Sequence, residues 1–175
     1  MNKVVFTLFT GFLLISLQLI LGTLGWTLPL GLLGAVYIAL AFGKSWGIGS
    51  ALLTAMVLTL LYGNAWNILN VITFPLLAGG SGWWVEHHDE NINLKFYHPG
   101  IAAGLLAAFP ALAQELFYWG EWGQFSPAIL FTLLRAVWSA LVSGLLFMAI
   151  LFIGETAALY LGLPRFLTRK GNQLR

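Results

Sequence analysis

The sequence predicts an all-α integral membrane protein of about six transmembrane helices gathered in one compact bundle. Three observations predict it. The 175 residues are 59% hydrophobic and 8% charged, whereas a soluble domain carries about 25% charged residues. Six apolar segments approach the roughly 17–25 residues that a spanning helix needs. With six spans, the flanking basic residues all fall on one side of the bilayer.

The segments run in order as follows. The first covers about 4–23. It follows Lys3, exceeds the roughly 7–15 apolar residues of a signal-peptide core and lacks a clear A-x-A cleavage site, so it is read as a retained span. The second, about 27–43, enters at Pro29 and stops at Gly43-Lys44. The third (about 46–62) and fourth (about 65–82) are separated from their neighbours only by "GKSWG" and "YGNAWN". The fifth covers about 99–119, with Pro110 expected to kink it and free a carbonyl near mid-membrane. The sixth begins near Pro127. Pro127 to Pro164 is too long for one upright helix across a core of roughly 30 Å. The span is therefore expected to end near Gly154-Glu155, with "TAALYLGLPRF" lying along the interface.

Six spans leave both termini on one side, together with Lys3, Lys44, Lys95, Arg165, Arg169, Lys170 and Arg175. The links near residues 24, 64 and 122 on the other side hold no lysine or arginine. The positive-inside rule then makes both termini cytoplasmic. Trp26, Trp46, Trp66, Trp83, Trp84, Trp119 and Trp122 fall at predicted span ends, where an amphipathic ring prefers the headgroup zone, and Trp138 lies within a span. The chain reads as a single polytopic membrane domain over residues 1–175, with a cytoplasmic loop at about 83–98 and a basic cytoplasmic tail at about 164–175. The absence of cysteine excludes disulfides, thiolate chemistry and lipid attachment at cysteine. No basic stripe suggests nucleic acid.

The polar stretch "WWVEHHDENINLKFYHPG" sets Glu86, His87, His88, Asp89, Glu90 and His98 within thirteen residues. His87, His88 and His98 supply enough ligands on paper for a metal. However, adjacent histidines on a helix point about 100° apart, the H-E-x-x-H motif is absent, and a loop rarely supplies a rigid site unaided. A solvated loop or docking surface is the first reading, and no metal or cofactor is assigned. No nucleophile motif or phosphate cradle accompanies the loop, so catalysis is not expected.

Within the spans, Glu115 and Arg135 sit about one and two turns inside the outer ends of spans five and six. Charges at such depth are costly and usually paired, and sequential antiparallel helices are neighbours, so a structural ion pair is the first reading, and one of the two facing a ligand cavity or a partner helix is the second. Asn64, Asn67, Asn70 and Thr73 recur every three residues as a polar face on span four, either bonding a neighbouring helix or lining a ligand site. Gln18 and Glu155 are lone polar residues of the same kind. Gly100, Gly104 and Ala108, with Ala140 and Gly144, extend the GxxxG spacing. They suit close helix packing within the bundle first and a partner face second.

The stretch "PLGLLGAVYIALAFGKSWGIGSALLTAMVLTLLYGN", with "LVSGLLFMAILF" in the last span, resembles the MreD family of bacterial inner-membrane proteins of the cell-elongation system. Where that family often carries "D-L-x-x-G", this chain has "LLYGN", with Leu58 or Thr59 in place of the acidic residue. The resemblance implies a fold like the six-span substrate-binding S-components of energy-coupling-factor transporters. It also implies a scaffold that binds an MreC-like protein or the elongation complex without catalysis, in the inner membrane. An S-component that captures a small molecule from outside and docks a transporter coupling subunit is the second reading. An intramembrane enzyme is the third.

Overall fold

The computed structural model describes residues 2–24, 28–62, 68–87, 99–109 and 128–166. Among them the chain is all helix: α1 (Asn2–Thr23), α2 (Leu30–Phe42), α3 (Lys44–Tyr62), α4 (Ile68–His87), α5 (Pro99–Phe109) and α6 (Ala128–Tyr160). Three helices, over Lys3–Thr23, Lys44–Tyr62 and Ala136–Tyr160, are long and apolar enough to cross a membrane. Large apolar side chains cover their outsides: Phe12 on α1, Leu60 on α3 and Leu145 on α6 are each more than two-thirds exposed. Such a surface is stable against lipid and costly against water. The molecule is a helical membrane protein.

Helix direction follows from a few contacts. Lys3, at the start of α1, holds its ammonium 5.9 Å from the ring centroid of Phe42, at the end of α2. Farther along, Gln18 of α1 meets Gly31 at the start of α2. These helices are therefore antiparallel. Gly43 alone separates α2 from α3. Its φ of 104° is open to glycine and disfavoured for other residues. A return this tight lays Gly47 of α3 directly on Ala39 of α2. Ile48 faces Gly79 and Lys44 faces Gly82, so α4 runs back along α3. Gly22 lies beside the Tyr62 hydroxyl, which makes α1 and α3 parallel. Gly100 and Gly104 of α5 lie against Met148 and Ala140 of α6, again antiparallel, and Gly154 of α6 lies against Tyr37 of α2. The first four helices thus alternate in direction, and α5 and α6 run antiparallel to each other. Lys3, Lys44, Glu86 and Arg165 gather at one end of the bundle, called here the charged end.

The core is α2. Every residue from Leu30 to Ala41 is buried. Leu32, Leu33, Tyr37 and Ala39 have no exposed surface at all. The helix is apolar on every side, the pattern of a segment enclosed on all faces. Around it pack Phe6, Leu14 and Ile15 of α1, Ala51, Ala55 and Leu58 of α3, Phe74 and Ala78 of α4, and Phe147 and Leu151 of α6.

Three boundaries differ from the sequence expectation. The second helix has 13 residues, about 20 Å at 1.5 Å per residue. It is shorter than a span because it is shielded by protein and need not match the lipid. The fourth continues to His87, so Trp83 to His87 are helical and do not open a loop. Gly82 lets α4 close on the backbone of Lys44, and Glu86 reaches back to Lys44, which holds the last turn in place. The sixth does not end at Gly154-Glu155. It runs on to Tyr160 as a single helix of 33 residues, about 50 Å long. The first five of the eleven residues expected at the interface, Thr156 to Tyr160, are therefore the end of α6. The helix stops at Gly162, φ +63°. There the Leu163 N–H donates to Ala158 O at 2.9 Å and the Gly162 N–H to Leu159 O at 3.2 Å. This is a Schellman closure, and Pro164 follows it.

Candidate functional site

Two features stand out in the described residues: the charged end, and a crevice between α1 and α3. The charged end begins with an aromatic file. Phe6 stands 6.5 Å from Tyr37 and 5.8 Å from Phe42, and Phe42 stands 6.3 Å from Trp46, the last two pairs edge to face. Lys3 lies over Phe42. An ammonium over an aromatic face is attracted by the ring quadrupole. Beside this file, Lys44 Nζ lies 3.5 Å from Glu86 Oε2, with the lysine about half exposed. Such a pair contributes little to stability and mainly sets the register of α3 against α4.

Glu155 is the buried acid of this end, 6% exposed. Its Oε1 accepts the Phe166 N–H at 2.8 Å. The carboxylate therefore folds the segment after α6 back against the bundle and seats Phe166, 3% exposed, in the core. Next to it, Gly154 brings α6 onto the Tyr37 ring, where a Cβ would stand 2.5 Å from Cζ. The Tyr37 hydroxyl is buried and has no hydrogen-bond partner among the described residues. Gln18 has a comparable structural task at the opposite end of α2. Its Oε1 accepts the Gly31 N–H at 2.9 Å. The first N–H groups of a helix have no partner within the helix, and α1 supplies one. Both lone polar residues noted in the sequence are thus engaged in tying chain segments together.

The crevice has a volume of about 410 Å³, in the lower part of the usual range of ligand sites, about 300–1,000 Å³. Its walls are α1 and α3, and its floor is Gly31, Gly34, Ala35 and Ile38 of α2. It exists because α2 carries small residues where the two parallel helices diverge. A second hollow lined by Val4, Thr7, Ser45, Trp46 and Gly49 carries it on to the charged end. Almost all of the lining is apolar. Its hydroxyl residues are Thr7, Ser45 and Ser50 toward the charged end, with Thr54 and Ser16 farther along.

The structure brings some of the sequence candidates together. Gly104 lies on the backbone of Ala140 and 3.2 Å, measured from an ideal Cβ, from Gly144 Cα. Gly100 faces Met148 and the Gly144 carbonyl in the same way. Ala108 is buried on α5 with Ala103 and Ala107, which the sequence reading missed although they share the face at helical spacing. These small residues are engaged against one another within the chain. His87 stacks on Trp83 at 4.5 Å between centroids, and its Nδ1 lies 3.0 Å from the Trp83 carbonyl, so its ring lies back along its own helix. Among the described residues no group of three His, Cys, Asp or Glu side chains converges. His88, His98, Asn64, Asn67, Glu115 and Pro110 lie outside the described residues. Arg135 is placed by its backbone only, about two turns into α6. Asn70 is partly buried on α4 and has an interaction partner. Thr73, one turn on, has its hydroxyl buried without a partner among the described residues.

No family model, no curated protein and no solved structure matches the chain.

Proposed function

We propose that the protein is a non-catalytic scaffold of the bacterial cell-elongation machinery. In this reading it sits in the inner membrane as a multi-pass protein with both termini cytoplasmic, and it holds partner membrane proteins of the MreC type. The observation that carries the reading is the use made of the buried polar groups. Gln18 and Glu155 each bond a backbone N–H of another segment, and α2 is buried along its length, with no polar chamber against it among the described residues. Such an interior fixes a rigid outer shape and leaves the apolar faces of α1, α3 and α6 as the surfaces that meet other molecules. A transporter subunit calls instead for a chamber with convergent polar groups. The two small-residue faces that could have docked a coupling subunit pack against each other. The gathering of Lys3, Lys44 and Arg165 at one end supports a cytoplasmic charged end.

Depletion in a rod-shaped host should produce rounded cells, and an epitope-tagged copy should co-purify with MreC-like protein from solubilised membranes. Normal rods on depletion, together with loss of uptake of a vitamin-like solute, would replace this reading with the transporter. Reporter fusions after residues 43 and 92 should read cytoplasmic, and a fusion after residue 24 periplasmic. The reverse pattern would refute the orientation alone.

A further inference from the structure

We propose that the crevice between α1 and α3 holds one acyl chain of an anionic phospholipid, with the phosphate at the charged end. The argument begins with dimensions. From Thr7 to Leu19 the α1 wall runs about 18 Å, and from Ser50 to Leu61 the α3 wall runs about 16 Å, at 1.5 Å per residue. Half of a hydrocarbon core of about 30 Å is about 15 Å. The crevice is as long as one leaflet is deep, and it opens sideways to the bilayer between the exposed side chains of Phe12 and Leu53.

Volume decides between a chain and a helix. The floor of Gly31, Gly34 and Ala35 belongs to α2, which is otherwise wholly enclosed. It can be reached only through the gap between α1 and α3. An α-helix with its side chains is about 10–12 Å across, too bulky to lie within a crevice of about 410 Å³. A polymethylene chain is thin enough to reach the floor, and its apolar surface matches a lining that carries few polar groups.

Charge decides the headgroup. The crevice continues past Thr7 and Ser45 to the charged end. Lys3 stands one helical turn before Thr7, is exposed, and has its ammonium held in place over Phe42. Lys44 precedes Ser45, although Glu86 partly neutralises it. Trp46 lines the mouth, at the depth where indole prefers the headgroup zone. A phosphate here would meet one largely uncompensated cation, Lys3, with Ser45 beside it at the mouth, while the Ser50 hydroxyl already donates to the Gly47 carbonyl and the Thr7 hydroxyl is buried. A cation beside a free hydroxyl suits a phosphodiester, and the two sit at the head of an apolar slot. The occupant is a structural lipid that travels with the protein, and it is independent of which partner the scaffold holds.

The test uses the full-length protein, delipidated in detergent, and counts bound lipid by native mass spectrometry. The probes are dioleoylphosphatidylglycerol, dioleoylphosphatidylcholine, oleate and inorganic phosphate. Retention of one phosphatidylglycerol, in preference to phosphatidylcholine and to oleate, is the expected result. Lys3→Gln should reduce that preference about fivefold, the equivalent of about 1 kcal/mol per lysine at an anionic surface. A Cβ on Gly11 meets nothing within 4 Å, so Gly11→Phe fills the crevice without striking the core and should abolish retention of both phospholipids. If that variant does not accumulate, Gly49→Leu at the mouth, where a Cβ also meets nothing within 4 Å, makes the same test. Equal retention of the anionic and zwitterionic lipids overturns the proposal. So does full lipid retention in the plugged variants, including the case in which plugging abolishes partner binding alone and the crevice is a seat for a helix. Displacement of phosphatidylglycerol by millimolar inorganic phosphate would show a free anion site in place of a lipid site.

Discussion

Helices α2 and α6 solve opposite problems with largely apolar sequences, although α6 also carries Arg135 and Glu155. All of α2 from Leu30 to Ala41 is enclosed by protein. Helix α6 buries one stripe, including Ala136, Ser143, Phe147, Leu151, Glu155 and Ala158, and turns Phe131, Val137, Trp138, Leu141, Leu145 and Phe152 outward. Polarity does not separate the two, because lipid is as apolar as a protein core and gives no hydrophobic drive for one helix to bury against another. Size separates them. Where α2 meets its neighbours it carries Gly31, Gly34, Ala35, Ala39 and Ala41, and the outward face of α6 carries phenylalanine, leucine and tryptophan. In this molecule burial follows from how closely backbones can approach, and from the hydrogen bonds that lock the ends once they have done so.

Substitutions can break that comparison, and the largest effect is expected where backbones touch. Gly104→Leu would drive a side chain into the Ala140 carbonyl of α6, a contact that neither backbone can relieve. A loss of about 3 kcal/mol or more is expected in equilibrium unfolding from detergent into denaturing detergent. Gly80→Leu is the matched control, since a Cβ there meets open space, and it should be nearly neutral. Equal losses in the two variants would mean that close approach is not what holds α5 to α6.

Next in size is Glu155→Ala, which leaves the buried Phe166 N–H without its acceptor. The cost should be about 1–3 kcal/mol, with faster proteolysis after Arg165 because the seat of Phe166 is lost. Glu155→Gln keeps an oxygen acceptor and should recover most of both. Gln18→Leu removes the acceptor for Gly31 and should cost about 1 kcal/mol, read as a lower midpoint with an unchanged slope. The smallest effect is expected for Glu86→Gln at the half-exposed pair with Lys44. It should lie below about 1 kcal/mol and fade at high salt. A large, salt-insensitive loss there would mean that the charged end does more than fix register.

Much of this was legible in the sequence. Uninterrupted apolar runs place α1, α3 and α6, and the clustering of lysine and arginine at alternate links anticipates the charged end that the helix directions create. The spacing of Gly100, Gly104, Ala140 and Gly144 marks residues that the structure sets face to face. Helix ends were less legible, for a physical reason. Gly154 and Glu155 look like a stop, since glycine weakens a helix and a carboxylate is costly in lipid. Tertiary contacts reverse both costs: Tyr37 occupies the space a side chain would fill, and Phe166 supplies a donor to the acid. Likewise "WWVEH" reads as polar and interfacial, yet Lys44 on the neighbouring helix keeps it wound. The enclosure of α2 was the least visible feature. An apolar helix facing lipid and one facing protein differ in residue size, and hydropathy does not record size.

The shortness of α2 also constrains how the chain is made. At about 20 Å it falls about 10 Å short of a typical hydrocarbon core, and alone in a bilayer it would have to thin the lipid around it or pull polar backbone inward. The single-residue joint at Gly43 removes that difficulty by delivering α3 immediately behind it, folded back against it from the first turn through Gly47 and Ala39. In the fold α2 and α3 form a helical hairpin to which Gln18 ties α1, and entry of that hairpin as one unit would spare α2 such exposure. A longer or stiffer joint at Gly43 would first be felt during biosynthesis, as chains degraded before they are complete, and only afterwards in the stability of the finished protein.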